Sequence, residues 1–327
     1  MRVLVTGGAG YVGSHAAKAL ALRGFEPITL DDLTVGHEWA VKYGPLVRGS
    51  IADTTLVAGV LEARGIEAVI HFAASAYVRE SLVAPESYFR NNVAGSIALL
   101  EACLASKRIR AFILSSTCAT YGVPASVPIV ETTPTVPINP YGESKLFVEK
   151  MLEWYGRCHG LRWAALRYFN AAGADPDGEI GEVHEPETHI IPLAIDAARG
   201  GKPVRLLGTD HPTPDGTAIR DYVHVSDLAD AHVQCLSYLL DGGEPRAFNL
   251  GTSRGVSVRE LIAVVEREVG PVPLILSERS SGDAPVLVAD ASLSERVLSW
   301  SARRSDLPLI VRTAARWSDV YRSRTGG

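Results

Sequence analysis

The chain has 327 residues, 46% of them hydrophobic and 21% charged, which is enough apolar matter for a large core and excludes a disordered chain. Its net charge of -5, with Lys and Arg scattered, leaves no basic footprint for a nucleic-acid backbone, so nucleic acid is not an expected partner. Cys103, Cys118, Cys158 and Cys235 stand apart, without Cys-x-x-Cys or His-rich spacing, and read as buried thiols in a reducing compartment rather than as a metal site or a disulfide framework.

Met1 leads straight into an apolar run with no charged leader, and no stretch approaches the roughly 20 apolar residues of a membrane span, so a cytoplasmic protein without membrane contact is expected. Strand and helix patterns then alternate: Arg2–Thr6, Ala16–Leu22, Pro27–Leu30, Thr55–Ala63, Ala68–Phe72, Val93–Leu104 and Ala111–Ser115. This order predicts a doubly wound α/β fold of the Rossmann type, a parallel sheet with helices on both faces. A helix over Ser144–Tyr155 and a strand over Trp163–Tyr168 follow. The stretch Asn170–Pro192, rich in Gly, Asp, Glu and Pro, reads as a functional loop and marks a boundary between a cofactor-binding domain, 1–170, and a smaller α/β substrate lobe, 171–327, with some chain crossing between them. In the lobe, Ile219–Val225 and Ala247–Leu250 read as strands and Val256–Glu268 as a helix that Ser257 caps, while Pro271, Pro273, Gly282 and Pro285 interrupt the rhythm.

Three motifs carry chemistry. Gly7, Gly10 and Gly13 lie where the first strand turns into a helix, with Tyr11 and Val12 between them. Such a turn lets backbone N–H groups and a helix N-terminus meet a pyrophosphate. Asp31 ends the second strand, followed by Asp32, and a carboxylate there accepts hydrogen bonds from ribose hydroxyls and repels a 2′-phosphate, which makes NAD rather than NADP the expected cofactor. Tyr141 and Lys145, four residues apart, share one helix face, where an ammonium beside a phenol lowers its pKa. The strand Phe112–Leu114 runs into the hydroxyls Ser115, Ser116 and Thr117, at the sheet edge where ligands of open α/β sheets bind. A hydroxyl donor, an acidic phenol and a hydride carrier are together what interconverts a carbonyl and an alcohol.

At these residues the chain resembles the extended short-chain dehydrogenase/reductases, and among them the UDP-glucose 4-epimerase family. The likeness spans nearly the whole chain: Thr6–Ser14, His71–Ala73, Asn91–Val93, Ser115–Gly122, Pro140–Lys145, Leu166–Ala174, Glu185–Pro192, Arg220–Val225 and Asn249–Thr252. The resemblance implies reversible oxidation of a UDP-hexose at C4, rotation of the 4-keto sugar and hydride return to its other face. It also implies Tyr141 as general base and acid, Lys145 as its tuner and ribose ligand, and Thr117 as donor to the C4 oxygen. Carried over as cofactor-binding positions are Ser50, Ile51, Phe72, Ala73, Ala74, Asn92 and Tyr168, besides Tyr141 and Lys145. Substrate-binding positions are Thr117, Tyr141, Asn170, Ile190, Leu207, Arg220, Asp283 and Leu287, with Arg220 suited to a diphosphate. A homodimer is implied, and no metal.

Related 4,6-dehydratases carry an Asp-Glu pair after the catalytic hydroxyl, where this chain has Cys118 and Ala119, neither able to protonate a leaving hydroxide as a carboxylic acid would. Ser280 replaces the second of two arginines expected before the Gly282-Asp283 turn, costing about 1.5–3 kcal/mol of diphosphate grip unless Arg279 compensates. Ser50 stands where an Asp commonly meets adenine, and Ala76 where some members carry Lys. Leu287 stands where a Tyr restricts some members to unacetylated sugars, so that it either widens the pocket or packs in the core. A UDP-pentose 4-epimerase and a non-catalytic NAD-binding sensor are the alternative functions, the latter disfavoured by an intact Thr117, Tyr141 and Lys145. His71, His189, His211 and His224 read as loop or core polar groups.

Overall fold

The computed structural model describes residues 1–279 and 284–325. Seven strands, β1 (Arg2–Thr6), β2 (Glu26–Asp31), β3 (Leu46–Arg48), β4 (Ala68–His71), β5 (Ala111–Thr117), β6 (Trp163–Tyr168) and a strand contributed from far along the chain, Arg246–Leu250, form one sheet in which all pairings are parallel. Side chains alternate across it. Val3, Val5, Ile70 and Ile113 pack in a core on one face, whereas Leu4, Val69, Phe112 and Leu114 pack on the other. Sheets covered on both faces have this near-continuous hydrophobic strand pattern.

Helix α1 (Tyr11–Leu22) lies on the first face, and α2 (Thr54–Ala63) on the second. After β4 come α3 (Val78–Val83), α4 (Pro85–Tyr88), a π-helical turn at Phe89–Ala94, α5 (Gly95–Ser106) and the long α6 (Pro140–His159). The chain winds outward from β1 through β2 to β3, then returns to β4 on the other side of β1 and continues outward to β5 and β6. The strand order therefore reverses between β1 and β4, and open α/β sheets bind ligands beyond their strand ends at that point.

The remaining elements are β7 (Asn170–Ala172), α7 (Ile190–Ala198), β8 (Val204–Leu207), β9 (Ile219–Arg220), β10 (Tyr222–His224), α8 (Val225–Leu240), β11 (Arg246–Leu250, the seventh strand above), β12 (Val256–Ser257), α9 (Val258–Glu268), β13 (Leu274–Ser277), β14 (Val286–Leu287), α10 (Ser292–Leu298) and α11 (Leu307–Thr325). A further core joins Ile191, Ile195, Leu261, Val265, Ile310 and Val311 from α7, α9 and α11.

Four expectations change. The single strand Ile219–Val225 is divided at Asp221, so that β9 pairs with β12 and β14 while β10 pairs with β7. The buried Asp221 carboxylate causes the break by accepting from Thr252 N (2.8 Å), Thr252 Oγ1 (2.6 Å) and Ala289 N (3.2 Å). The stretch Asn170–Pro192 is irregular only over 173–189, being strand before and helix after. Ser257 caps its helix through a capping box with Glu260, so the helix starts at Val258 and the preceding two residues are strand. Among the described residues no helix is long and apolar enough to cross a membrane. All four cysteines are free, and Cys158, in the last turn of α6, is exposed rather than buried because it lies on the helix face turned from the core.

Candidate active site

The glycines after β1 are where a side chain would not fit. Gly7 has φ +70, and a Cβ on it would sit 2.5 Å from Ala73 N, at the close approach of β1 and β4. A Cβ on Gly13 would sit 2.2 Å from Gly7 O, so helix and turn are in van der Waals contact. Helix α1 starts at Tyr11 with Gly10 as N-cap, no side-chain cap hydrogen bond and no acidic residue in its first turn. Its N-terminal N–H groups are thus left for an anion. Asp31, at the end of β2, is buried and accepts from Ala9 N (3.0 Å) and Leu33 N (2.9 Å), which holds its carboxylate beside the turn. Each oxygen keeps acceptor capacity for a ribose hydroxyl. Burial, with the neighbouring Asp32 adding to it, raises the Asp31 pKa against the pull of those two backbone donors. Asp32 itself is exposed and accepts from Thr34 N at 2.9 Å. These features fit a dinucleotide.

The cradle's other candidates line up around it. Phe72 and Ala73 donate their amides to Thr6 O, and the Phe72 ring lies 4.6 Å from that of His232. Ala74 is half-buried one residue further on. Ile51 is buried and Ser50 half-buried where β3 leads to α2, the Ser50 hydroxyl accepting from Ala52 N. Ala76 is exposed. Asn92, in the π-helical turn, accepts from Ser75 N (2.8 Å) and donates to Ser75 O (3.0 Å) and Ser144 Oγ (2.9 Å). It therefore ties the segment after β4 to α6. π-Helical turns recur at functional sites for this kind of re-aiming. Tyr11 reaches the other way, its hydroxyl donating to Gly173 O at 2.6 Å.

Thr117 is the last residue of β5, and Tyr141 the second of α6. The helix begins earlier than its apolar pattern because Asn139 caps it, accepting from Gly142 N at 2.8 Å, and Pro140 occupies the first position. The two elements converge so that the Thr117 hydroxyl lies near enough to the Tyr141 phenol to influence its ionisation. Lys145, one turn on, is buried and donates to Ser115 O at 2.8 Å. Tyr168 hydrogen-bonds the Ser115 hydroxyl. The structure thus brings Thr117, Tyr141, Lys145 and Tyr168 together.

The electrostatics differ from the expectation of a lowered phenol pKa. Burial raises Tyr141 well above the usual phenol value, reinforced by Tyr168, and the nearby Thr117 hydroxyl only partly opposes this. The Lys145 ammonium faces the Ser115 carbonyl and is itself pushed down to about 8 by burial, with Glu149 countering. Desolvation is the largest influence on both groups.

Beneath the pair lies a buried network that spacing did not reveal. Arg167 on β6 forks onto Glu149, one turn beyond Lys145, with Nε 3.0 and 3.1 Å from the two carboxylate oxygens, and Ser116 also donates to Glu149. Arg167 Nη1 donates to the Tyr121 hydroxyl (2.8 Å), which donates to Asn249 Oδ1 (2.7 Å) on β11. His71, fully buried, bridges Thr6 (2.7 Å) and Ser96 (2.9 Å).

The expected substrate residues fall on the far side of the sheet edge. Asn170 opens β7 and donates to Asp221 O at 3.0 Å. Arg220, half-buried on β9, donates to Ile219 O, and its charge reaches the Cys118 thiol and the Tyr222 phenol. Leu287 on β14 pairs with Arg220 and, like Cys118, packs partly buried against the core of Tyr121, Ile129, Phe169 and Ala289, so it belongs to the same core as the residue after Thr117. Ile190 opens α7 and Leu207 closes β8, both half-buried. Arg279 is exposed and faces Asp210 at 3.7 Å, while Ser280 and Asp283 lie outside the described residues. Lys18 on α1 was not singled out by sequence. It binds Asp175, Asp177 and Glu179 at 2.9–3.0 Å and fastens the 173–189 segment to the cofactor cradle.

Residues 3–251 match the family model described as the NAD dependent epimerase/dehydratase family. A UDP-glucose 4-epimerase of Rhizobium meliloti (strain 1021) is 49% identical over 317 residues, 96% of this chain and 96% of that protein. The solved structure of UDP-glucose 4-epimerase from Brucella ovis in complex with NAD aligns with a TM-score of 0.94 at 50% identity, covering 96% of this chain and 97% of that one. A UDP-glucose 4-epimerase from Stenotrophomonas maltophila, solved with bound NAD and formylated UDP-arabinopyranose, aligns with a TM-score of 0.95 at 39% identity over 99% of each chain.

Proposed function

The chain belongs to the NAD dependent epimerase/dehydratase family, and on that premise we propose that it is a UDP-glucose 4-epimerase interconverting UDP-glucose and UDP-galactose. The observation that carries the chemistry is the convergence of Thr117, Tyr141 and Lys145 at the carboxyl edge of the sheet, beside a glycine turn that fits a dinucleotide. NAD, when bound, supplies a hydride acceptor and donor for the sugar's C4 and, when oxidised, a positive ring charge.

Gly7, Gly10, Tyr11, Val12 and Gly13 would hold its pyrophosphate on backbone N–H groups, and Asp31 would take the adenosine ribose. Asp32, Ser50, Ile51, Phe72, Ala73, Ala74, Asn92, Lys145 and Tyr168 would complete its binding. Thr117 donates to the oxygen on C4 and fixes its position. Tyr141 takes the hydroxyl proton as the carbonyl forms and returns it when the alcohol is restored. Its phenolate must be stabilised within a buried site, for which the Lys145 ammonium, one turn along the same helix and held on Ser115 O, is positioned. Asn170 and Arg220, with Ile190, Leu207, Asp283 and Leu287, hold the nucleotide-sugar while the sugar presents its other face. Residues 1–170 then form the cofactor domain and 171–327 the sugar-nucleotide lobe, with β11 returning to the first sheet.

The enzyme is further proposed to be a cytoplasmic homodimer, in keeping with four free cysteines and with Phe147 and Trp154, seven residues apart on α6, 50% and 62% exposed. Light scattering at one chain's mass of 35.0 kDa would contradict the dimer. Replacing Tyr141→Phe tests the mechanism. It removes the proton carrier and not the cradle, so turnover of UDP-galactose should fall by about 10²–10⁴-fold while NAD is retained. A Phe variant within tenfold of the parent rate would remove Tyr141 from the role.

A further inference from the structure

The segment between β7 and α7 carries the run Glu182-Val183-His184-Glu185-Pro186-Glu187-Thr188-His189. Folding brings one donor atom from each of Glu182, His184, Glu187 and His189 within 4.8 Å of one another. Both imidazoles turn Nδ1 toward the same carboxylate: His184 Nδ1 lies 3.2 Å and His189 Nδ1 2.8 Å from Glu182 Oε1. Glu187 closes the group, 3.7 Å from His184 Nδ1 and 3.0 Å from His189 Nδ1. The Glu182 side chain is only 8% exposed. His184 Nδ1 is shut off from water and, despite that proximity, makes no well-formed hydrogen bond. A buried ring nitrogen aimed at a carboxylate without bonding it lacks a partner that a cation would supply.

From this geometry we propose that Glu182, His184, Glu187 and His189 bind one divalent cation of the zinc class through two imidazole nitrogens and two carboxylate oxygens. The donor set selects the class. Hard Mg²⁺ and Ca²⁺ are held by oxygen, whereas paired imidazoles with carboxylates suit zinc. Four ligands about 2.0–2.2 Å from a tetrahedral zinc stand roughly 3.4 Å from one another, against His–Glu separations of 2.8–3.7 Å here and no donor pair more than 4.8 Å apart, so side-chain shifts of up to about 1.4 Å close the shell. With neutral imidazoles the four groups carry two negative charges, which the ion cancels. The backbone is already fixed: Trp317 Nε1 donates to Glu182 O at 3.0 Å, and Thr188 N and His189 N donate to Glu187 Oε1 at 2.7 Å.

The site borders the cofactor cradle, since the Tyr11 ring meets His184 edge-on at 6.4 Å and Tyr77 meets it at 5.6 Å. An ion there would pin the 173–189 segment against the start of α1, adding to the Tyr11–Gly173 hydrogen bond and the Lys18 clamp. Its role is to hold the segment, not to act on the sugar.

The test uses the full chain with its bound cofactor, stripped with a chelator, carrying Cys158→Ser to remove the exposed thiol, and titrated with Zn²⁺ alone in equilibrium dialysis. One zinc per chain is expected, with a rise in melting temperature, and Co²⁺ should give the visible bands of a four-coordinate nitrogen and oxygen site. Affinity should fall about tenfold or more in Glu187→Gln and in a His184→Gln, His189→Gln double variant. Circular dichroism and retained NAD verify that the variants fold. A parent protein that takes up no zinc overturns the proposal without reference to any variant. So does stoichiometric uptake that survives unchanged in a folded double variant.

Discussion

Tyr141 and Lys145 are both desolvated, and that fact governs their chemistry more than their spacing does. Lys145 has its pKa lowered to about 8 by burial, from an ordinary value of 10.5. Between these limits the unfolded chain binds more protons than the folded one, so unfolding free energy rises with pH across that window, and below it the buried ammonium costs stability. Relative to Lys145→Met, the parent protein should therefore gain stability from pH 8 to pH 10, by at most about 1.4 kcal/mol per pH unit. Urea denaturation of both proteins over that range measures it, and a difference that stays flat would mean the lysine is not desolvated. The site's residue types were legible in the sequence because they are local: three glycines at a strand end, an acid closing the next strand, a phenol and an amine one turn apart. Their ionisation was not, because burial is set by Tyr168, Tyr88 and Ser115, which reach the phenol and the amine from elsewhere in the chain. For the same reason His189 read only as a loop or core polar group, and its convergence with Glu182, His184 and Glu187 went unseen, since an irregular segment has no period from which convergence can be read.

At the level of elements, α6 sets the catalytic geometry from its first turn. Asn139 caps it and Glu149 seats it on Arg167 of β6, so Tyr141 is held at one end while the helix is anchored two turns away. Asn139→Ala should cost about 1 kcal/mol of stability, as cap removal does, and should lower turnover several-fold because the turn it loosens carries Tyr141. If stability falls by that amount with turnover unchanged, the cap does not position the phenol. The apolar pattern placed this helix's start at Ser144 because its first four residues, Pro140 to Glu143, carry no apolar stripe, and the cap defines the end instead. Helix α8 escaped the sequence reading although ten of its residues are buried, because Asp227 and His232 are among them and interrupt the stripe. Asp227 is tolerated there by hydrogen bonds from Arg304 N (2.7 Å) and Ser305 Oγ (2.7 Å), partners 77 and 78 residues away that no local window contains. The break of Ile219–Val225 into two strands likewise depends on Thr252 and Ala289 reaching Asp221.

Across the whole molecule, the parallel sheet followed from the alternation of strands and helices and the cofactor cradle from the glycine turn after β1, whereas the switch point between β1 and β4 is seen only in the strand order. What the alternation did not disclose is how the later chain closes over that edge. β11 joins the first sheet beside β6, β7 and β10 pair just beyond it, and Lys18 and Tyr11 fasten the 173–189 segment to α1. These contacts assemble a hydroxyl, a phenol and an amine beside a dinucleotide turn, and the central claim is that this assembly inverts C4 of a UDP-hexose without net oxidation. The most direct measurement is to incubate the purified protein, with no cofactor added, with UDP-galactose, resolving the nucleotide-sugars by chromatography while following free NADH by absorbance. Conversion to UDP-glucose with no accumulation of NADH is the expected result. Stoichiometric release of NADH, or no conversion even after NAD is supplied, would contradict the claim.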